Sequence, residues 1–347
     1  MMVTTRTPLR VSLFGGGTDY PAYFEQHPGA VIGVAIDKYI YISALELTAW
    51  QDYNYRLAYS KLEMTKTIDE IEHPLVRAVL ADRKIRARLD INVISDLPAS
   101  SGLGSSSAFS VGFVNLITQM FGRPMTKMEL ARAAMDVEQR LLQENVGVQD
   151  QLHTAFGGIN RFDFHGKRMS VSPVDMSLSA MEALDGCMVL VSTGRQRRAT
   201  HVAADKIAGI KSGKTGGDLA SLYQMVGECM DMLESAQGEG FVPELGRMLD
   251  ESWKIKRRLS DRVSDESIDE LYARGIAAGA YGGKLCGAGG GGFILMLVDP
   301  DRIDDFTARM QPNPVIRIGV DTQGSTLLST GERPKRIPAE RRSFVAA

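Results

Sequence analysis

Cysteine is scarce in this chain of 347 residues, which contains only Cys187, Cys229 and Cys286. Their wide separation excludes a dense disulfide framework and lacks the spacing of a metal site, so we expect reduced thiols in a cytoplasmic protein. Charge of one sign is not in excess either, because 40 Lys and Arg stand against 42 Asp and Glu. A nearly neutral chain gives no electrostatic reason to expect nucleic acid or an anionic membrane as a partner.

Long apolar runs are also missing. No stretch is long enough to span a bilayer, and residues 1–6 show no apolar signal region. The length allows one or two domains. The pattern changes near Leu184, where the apolar run 187–192 predicts a new strand. We therefore predict two domains, 1–185 and 186–347.

Small residues dominate the stretch 98–109, Pro-Ala-Ser-Ser-Gly-Leu-Gly-Ser-Ser-Ser-Ala-Phe. Alternation over residues 89–95 predicts a strand before this stretch, and the apolar positions from Phe109 onward predict a helix after it. Free N–H groups at the start of a helix, approached closely through glycine, form an anion site. The alternative is that residues 105–107 only cap the helix. The stretch has neither the lysine of a Walker A loop nor the Gly-x-Gly-x-x-Gly spacing.

A second glycine-rich stretch, Gly15-Gly16-Gly17-Thr18-Asp19, follows a predicted strand over residues 3–13. Taken alone, it is typical of a flexible turn. The functional alternative is that a small polar ligand lies against the glycines while Asp19 accepts hydrogen bonds from the ligand's hydroxyl groups.

Two acidic residues in the middle of the chain are candidates for chemistry. Thr126 and Glu129 have capping-box spacing, and the helix that they open places Glu138 at the edge of its apolar stripe. Glu138 therefore faces either a cleft or the solvent. Asp150 enters a helix after a glycine loop, where it acts either as a helix cap or as a general base. His153 is expected to be packed rather than catalytic.

The second half of the chain has fewer signals. Three arginines near Gly194, at positions 195, 197 and 198, form either a solvated surface or a phosphate site. We interpret residues 206–217 as an exposed loop and residues 282–292 as an ordered glycine loop before a strand at 293–298. The remaining predicted elements are strands over 31–45 and 315–320, and helices over 68–86, 219–236, 244–259 and 265–279.

Three stretches resemble the three motifs of the GHMP kinases, the superfamily of galactokinase, homoserine kinase and mevalonate kinase. They are the stretch at 98–109, the glycine stretch that begins at Gly15, and the glycine stretch that ends at Gly292. The resemblance covers nearly the whole chain, from Arg6 to about Val320. It implies an α/β fold, more narrowly the α+β two-domain arrangement with a ribosomal-protein-S5-like N-terminal half and a ferredoxin-like C-terminal half. It also implies ATP bound between the halves, and Mg²⁺.

The resemblance assigns roles to individual residues. Ser106 and Glu138 match the Mg²⁺ ligands, Asp150 matches the base, and Arg10 matches the arginine that pairs with the base. The residues matched to ATP binding are Pro98, Ser100, Ser101, Gly102, Leu103, Gly104, Ser105, Ser106 and Ser107. The residues matched to substrate binding are Gly16, Gly17, Thr18, Asp19, Asp150, Arg195, Arg197, Gly289 and Gly290.

Within the superfamily, the first motif resembles that of the D-glycero-D-manno-heptose 7-phosphate kinases, which phosphorylate the anomeric hydroxyl on the way to nucleotide-activated heptose. Gly16 and Gly17 stand where galactokinases have Glu-His, and the run from Thr193 to Arg197 suits a substrate that already carries a phosphate. The implied partners are a sugar phosphate and ATP, and the oligomeric state, a homodimer included, stays open. The alternatives are an L-fucose kinase-like or galactokinase-like enzyme, a kinase of a non-sugar alcohol, and a non-catalytic sensor of sugar and ATP.

Overall fold

Helices and strands mix along the whole of the computed structural model, which describes residues 1–195 and 200–331. The strands are β1 (Met2–Phe14), β2 (Gly29–Glu46), β3 (Tyr55–Ala58), β4 (Leu62–Thr65), β5 (Leu89–Ser95), β6 (Ile159–His165), β7 (Arg168–Pro173), β8 (Met188–Ser192), β9 (Gly282–Leu285), β10 (Phe293–Leu297), β11 (Val315–Arg317) and β12 (Thr326–Gly331). The helices are α1 (Pro21–Phe24), α2 (Pro74–Asp82), α3 (Ser105–Phe121), α4 (Lys127–Asp136), α5 (Gln149–Phe156), α6 (Leu178–Cys187), α7 (Thr200–Lys211), α8 (Gly216–Ser235), α9 (Val242–Arg258), α10 (Glu266–Ala277) and α11 (Ile303–Arg309). A π-helical turn, Val137–Leu141, follows α4, and a 3₁₀ turn, Pro300–Arg302, precedes α11.

The larger sheet is organised around β2, a long strand rich in β-branched and aromatic residues that favour extended structure. Strand β1 runs antiparallel along one side of β2, while β6 and β5 pair with successive halves of its other side. The order β12-β1-β2-β5-β3-β4 continues the sheet in both directions, and β7 extends it beyond β6. The predicted strands at 3–13, 31–45 and 89–95 are confirmed.

The smaller sheet has the order β11-β8-β10-β9 and is antiparallel throughout. Every residue of β9 and β10 is buried, and α9 packs on β9. The division of the chain near residue 185 stays a prediction. Strand β12 crosses that division, because it comes from the end of the chain and pairs with β1 in the larger sheet.

Helix α3 lies inside the protein, where it packs on β1 and β2 and against α4 and α5. Its apolar residues face several directions, and nearly all of the helix after its first turn is buried. The packing of α3 fixes the position of the small-residue loop before it, at the edge of β1. Among the described residues, no helix combines the length and the apolar character that crossing a bilayer requires.

Three predictions about secondary structure are wrong in part. The helix predicted over 68–86 is restricted to α2, because Pro74 can occupy a first helical position and holds His73 extended. Residues 206–211 are helical rather than an exposed loop, as the second half of α7. The glycine loop at 282–292 starts with strand β9, which pairs with β10. The capping box at Thr126 and Glu129 is confirmed, as are the helices predicted over 219–236, 244–259 and 265–279.

Candidate active site

The loop before α3 presents the start of that helix to a cavity. Gly104 adopts a left-handed conformation, and no described side chain caps the N–H groups of the first turn. These N–H groups have no partner inside the helix and carry the positive end of its dipole. Ser105 and Ser106 line the cavity with them. The arrangement favours an anionic ligand at the start of α3.

Arg10, near the end of β1, connects this loop to α5. Its Nε and Nη2 donate to the two carboxylate oxygens of Asp150 at 2.8 and 2.6 Å, and its Nη1 donates to the carbonyl of Gly102 at 2.8 Å. The backbone N–H of Arg10 also donates to the carbonyl of Leu103. Arg10 is buried, whereas 27% of the Asp150 side chain is exposed. The fork of Arg10 therefore orients a carboxylate that remains accessible from the cavity.

Asp150 lies in the first turn of α5, whose N-cap residue, Val148, forms no side-chain capping bond. Asp150 is therefore not the residue that caps α5, and its role as a general base stays a prediction. His153, one turn further along, is fully buried, and neither ring nitrogen has a hydrogen-bond partner among the described residues. The expectation that His153 is packed is confirmed.

The first glycine turn holds Asp19 beside the same cavity. The N–H of Gly17 donates to Asp19 Oδ1 at 2.9 Å, and the N–H of Gln149 approaches Oδ2 at 3.4 Å. Burial raises the pKa of the Asp19 carboxyl, and the nearby carboxylate of Asp150 acts in the same direction. Gly147 leaves room for this carboxylate, since a Cβ at position 147 would lie 2.0 Å from Asp19 Oδ2.

Glu138 lies on the π-helical turn and is 1% exposed. Its Oε2 accepts from the hydroxyl of Ser107 at 3.0 Å and from the amide of Gln151 at 2.5 Å. Its Oε1 is buried and has no partner among the described residues. Burial raises the pKa of Glu138 to about 7. A cation at this place would satisfy the free oxygen and favour the ionised form.

The donor set around Glu138 fits Mg²⁺, which is usually held in kinases by one or two carboxylates together with substrate phosphates. The described residues contain no group of three or more His, Cys, Asp or Glu that would form a cage around a metal. Ser106 and Glu138 both line the cavity, but the hydroxyl that contacts Glu138 is that of Ser107. A metal here would therefore require ligand oxygens from outside the protein.

The third glycine loop packs against the loop before α3. A Cβ at Gly287 would lie 2.6 Å from Gly102 Cα, so the two backbones touch. Gly289 lines the cavity, whereas the N–H of Gly290 donates to the carbonyl of Val263. Loops connected to strands of the two sheets thus line one site.

The cavity enclosed by these three loops has a volume of about 570 Å³. Several polar atoms in its wall are buried without a hydrogen-bond partner among the described residues. They are Ser12 Oγ, Glu138 Oε1, Gln149 Oε1 and Ser252 Oγ. Buried polar groups are normally hydrogen-bonded, so this set indicates a polar ligand.

Five further predicted residues lie away from the cavity wall or outside the described chain. Arg195 donates to Asp265 at 2.8 Å, its side chain is 50% exposed, and it does not line the cavity. Arg197 lies outside the described residues. The Thr18 hydroxyl is buried within 2.8 Å of the carbonyls of Gly15 and Ala30, where it stabilises the turn. Pro98 is exposed beside the loop, and Leu103 is in the core.

Most of the other residues matched to ATP and substrate line the cavity. They include Ser100, Gly102, Gly104, Gly16 and Gly17, while Ser101 is buried.

Three functional candidates escaped the sequence analysis, namely the cavity-lining lysines Lys206, Lys256 and Lys284. Lys256 had a recognisable signal, because it follows Ser252 and Trp253 at helical spacing on the buried face of α9. Lys206 was missed because its segment was interpreted as a loop. Lys284 was missed because a short strand among glycines gives little periodicity.

A cavity of this kind suits phosphoryl transfer, in which positioning and charge stabilisation provide most of the rate. The class of protein that such a site suits is a kinase. Comparisons with known proteins agree. The profile described as GHMP kinases N terminal domain matches residues 53–158, and that described as GHMP kinases C terminal matches residues 232–314.

A D-glycero-alpha-D-manno-heptose 7-phosphate kinase of Campylobacter jejuni is 30% identical over 312 residues, which cover 86% of this chain and 90% of that protein. A galactokinase of Pyrococcus furiosus is 27% identical over 325 residues, covering 86% of this chain and 90% of that one. The chain belongs to the GHMP kinase family and is an ATP-dependent phosphotransferase.

A solved structure described as a D-glycero-D-manno-heptose 1-phosphate kinase from Bacteroides thetaiotaomicron superposes with a TM-score of 0.76 at 22% identity, covering 95% of this chain and 100% of that one. A mevalonate kinase superposes with a TM-score of 0.69 at 17% identity, covering 93% of this chain and 100% of that one. At such identities the similarity establishes the fold alone, and it confirms the predicted α/β two-domain architecture.

Proposed function

We propose that this protein is a sugar 1-kinase that transfers the γ-phosphoryl group of ATP to the anomeric C1 hydroxyl of D-glycero-D-manno-heptose 7-phosphate, giving the 1,7-bisphosphate. In this reaction the C1 oxygen forms a bond to the γ-phosphorus, the bond between that phosphorus and the β,γ-bridging oxygen breaks, and ADP leaves. The hydroxyl proton passes to Asp150.

The observation that carries the proposal is the position of the Asp150 carboxylate. It faces the cavity from the first turn of α5, with both oxygens held by Arg10. The same guanidinium holds the loop at Gly102 through its carbonyl. A base and a phosphate loop fixed by one side chain keep the acceptor hydroxyl and the γ-phosphate in a constant relation, and such positioning accounts for a large part of the rate in phosphoryl transfer.

The remaining residues divide between the two substrates. The N–H groups at the start of α3 and the hydroxyls of Ser105 and Ser106 bind the triphosphate. Asp19, from the first glycine turn, accepts hydrogen bonds from sugar hydroxyls. Glu138 and Ser106 hold Mg²⁺, which when bound supplies neutralisation of the charge that develops on the phosphate oxygens.

The heptose 7-phosphate kinase of Campylobacter jejuni, which is 30% identical and matched along 90% of its length, supports a sugar phosphate as the acceptor. The galactokinase relative at 27% identity supports the coarser class of sugar kinases. Retention of Arg10, Ser106, Glu138 and Asp150 favours an enzyme over a sensor, since a sensor can lose part of this set.

A panel of acceptors tests the proposal. Purified protein is incubated with γ-labelled ATP, Mg²⁺ and either D-glycero-D-manno-heptose 7-phosphate, the free heptose, galactose or L-fucose, and label transfer is followed. We expect the highest kcat/KM for heptose 7-phosphate. Turnover of galactose or L-fucose without turnover of heptose 7-phosphate would replace the proposed substrate, and binding of sugar and ATP without any transfer would indicate a sensor.

A further inference from the structure

Three lysines from three different elements surround one part of the cavity. Lys206 comes from α7, Lys256 from α9 and Lys284 from β9, and each lines the cavity while being no more than 7% exposed. Lysine is rarely buried to this degree unless a partner of opposite charge compensates it. An anion that binds in the cavity would compensate these ammonium groups.

Carbonyl groups of the protein meet part of the hydrogen-bonding requirement. Lys256 Nζ donates to the carbonyls of Leu285 at 2.6 Å and Gly287 at 2.7 Å, and Lys284 Nζ donates to the carbonyl of Leu13 at 2.6 Å. An ammonium group has three N–H donors. Within the described part of the chain, Lys256 therefore keeps one donor free and Lys284 keeps two. Because carbonyl groups are neutral, the positive charges of Lys256 and Lys284 also remain without a counter-charge.

Lys206 forms neither a hydrogen bond nor an ion pair with any group that the structure describes. Burial lowers its pKa to about 8, an effect opposed by the carboxylates of Asp19 and Asp150. Burial likewise lowers the pKa of Lys284 to about 8, and the nearby charges of Lys206 and Arg10 add to the decrease. A dianion bound between them would remove this mutual repulsion.

Four carboxylates line the cavity, and three of them are already engaged elsewhere, while the fourth, Glu144, forms no ion pair with a lysine of the described chain. Asp150 is held by Arg10, Asp19 accepts from backbone N–H groups of the first glycine turn and of α5, and Glu138 accepts from Ser107 and Gln151. None of these carboxylates lies within 4 Å of a lysine nitrogen in the described chain. The lysines are therefore available to a ligand.

The position of each lysine indicates which ligand it contacts. Lys256 contacts the carbonyl of Gly287, which packs on the loop before α3, and it thus belongs to the ATP side. Lys284 contacts the end of β1, directly before the first glycine turn. Lys206 lies together with Gly17 of that turn in the wall of a small recess. Lys206 and Lys284 thus belong to the side of the acceptor.

We propose that Lys206 and Lys284 form a subsite for a phosphate group that the acceptor carries before it is phosphorylated. The inference rests on the proposed function, since it specifies how a sugar phosphate is distinguished from the free sugar. Ammonium groups bind phosphate as point charges and need no fork geometry. The subsite takes the place of Arg195, whose guanidinium is paired with Asp265 outside the cavity.

Substitution of the lysines tests the subsite. K206M and K284M remove the charge while preserving most of the side-chain volume, K206R restores a charge, and K211M is the control, because Lys211 is exposed on the same helix. Activity is measured with D-glycero-D-manno-heptose 7-phosphate and with the same heptose without phosphate. We expect K206M and K284M to decrease kcat/KM for the phosphorylated acceptor by roughly 10-fold or more, as for loss of a charged hydrogen bond. For the free heptose we expect a clearly smaller decrease, since it has no phosphate for the subsite to bind. K206R should recover part of the difference.

A second measurement keeps the subsite testable if the variants are poorly active or the proposed acceptor is wrong. The protein is first saturated with Mg²⁺ and a non-hydrolysable ATP analogue, and inorganic phosphate is then titrated while thermal stability and heat of binding are recorded. Phosphate binding that is lost in K206M but retained in K211M supports the subsite, even if neither heptose is a substrate and the proposed function fails. Equal losses with both acceptors in the folded variants, or unchanged phosphate binding in K206M, would overturn the inference while leaving the sugar kinase proposal intact.

Discussion

Both carboxylate oxygens of Asp150 accept hydrogen bonds from the guanidinium of Arg10, at 2.8 and 2.6 Å, across 140 positions of sequence. The third arm of the same guanidinium reaches the carbonyl of Gly102 in the loop before α3. One buried side chain thus fixes a carboxylate of α5 and a loop of small residues in a single geometry. Bidentate pairs of this kind provide direction as well as energy.

The first prediction concerns the proton acceptor. Asp150→Asn keeps the shape of the side chain but removes its basicity, and a positioned base contributes about 10²- to 10⁴-fold in rate. We expect kcat to fall by about that factor while ATP binding, measured by calorimetry, stays close to wild type. Asp163→Asn is the matched control, because Asp163 also forms a bidentate pair, with Arg161, and does not line the cavity. Turnover in Asp150→Asn within threefold of the control would exclude a role as base.

The second prediction concerns Mg²⁺. Glu138→Gln keeps an oxygen that can accept hydrogen bonds from Ser107 and Gln151 but removes the negative charge of this side chain. Because a carboxylate binds Mg²⁺ far better than an amide does, we expect the Mg²⁺ concentration for half-maximal activity to rise by roughly 10-fold or more. The measurement is activity against Mg²⁺ concentration at saturating ATP. Glu182→Gln, on the exposed face of α6, provides the control. An unchanged Mg²⁺ requirement would place the metal elsewhere.

The third prediction concerns the space that Gly147 leaves for Asp19. A methyl group at position 147 would lie 2.0 Å from Asp19 Oδ2, so Gly147→Ala forces the buried carboxylate to move. Because Asp19 faces the acceptor side, we expect the acceptor KM to increase by roughly 10-fold, as displacement of a site group by about 1 Å costs up to about 100-fold. The ATP KM should change little.

Gly217→Ala is the control for this substitution, since a Cβ there meets nothing within 4 Å. Steady-state kinetics with each substrate varied in turn separate the two KM values. An equal increase in both values would assign Gly147 to general integrity of the site rather than to the acceptor.

The fourth prediction concerns stability in acid. Burial, with a smaller contribution from the charge of Arg10, lowers the pKa of His153 to about 3 from an ordinary value of 6.5. Below pH 6.5 the unfolded chain binds a proton that the folded chain excludes, so the free energy of unfolding decreases as the pH falls from about 7 toward 3. At pH 5 the difference amounts to about 2 kcal/mol.

His153→Leu cannot titrate, and we expect its loss of stability between pH 7 and pH 5 to be smaller than that of wild type by this amount. Urea unfolding at both pH values measures the difference. His165→Gln, at an exposed position, should retain the wild-type pH dependence. If the leucine variant and wild type lose the same stability between the two pH values, the acid sensitivity has another origin.

Local features of the fold were largely accessible from the sequence. The alternation in β5, the capping box at Thr126 and the strand–loop–helix order around residues 98–109 depend on neighbours within a few positions, and the structure has each of them. Errors arose where local rules compete. Pro74 delays the start of its helix to residue 74, and α7 buries Lys206 in a stretch whose glycines and charges favour a loop.

The sequence by itself determined that three turns of small residues are present, that acidic residues stand at positions suited to a base and a metal, and to which family the chain is similar. Only the tertiary structure decided which side chains meet. It pairs Ser107 with Glu138, turns Arg195 toward Asp265, and brings Lys206 and Lys284 into the wall of the cavity. The physical reason is that turns and helices follow from short-range backbone preferences, whereas a site depends on contacts between distant parts of the chain, which no local pattern encodes.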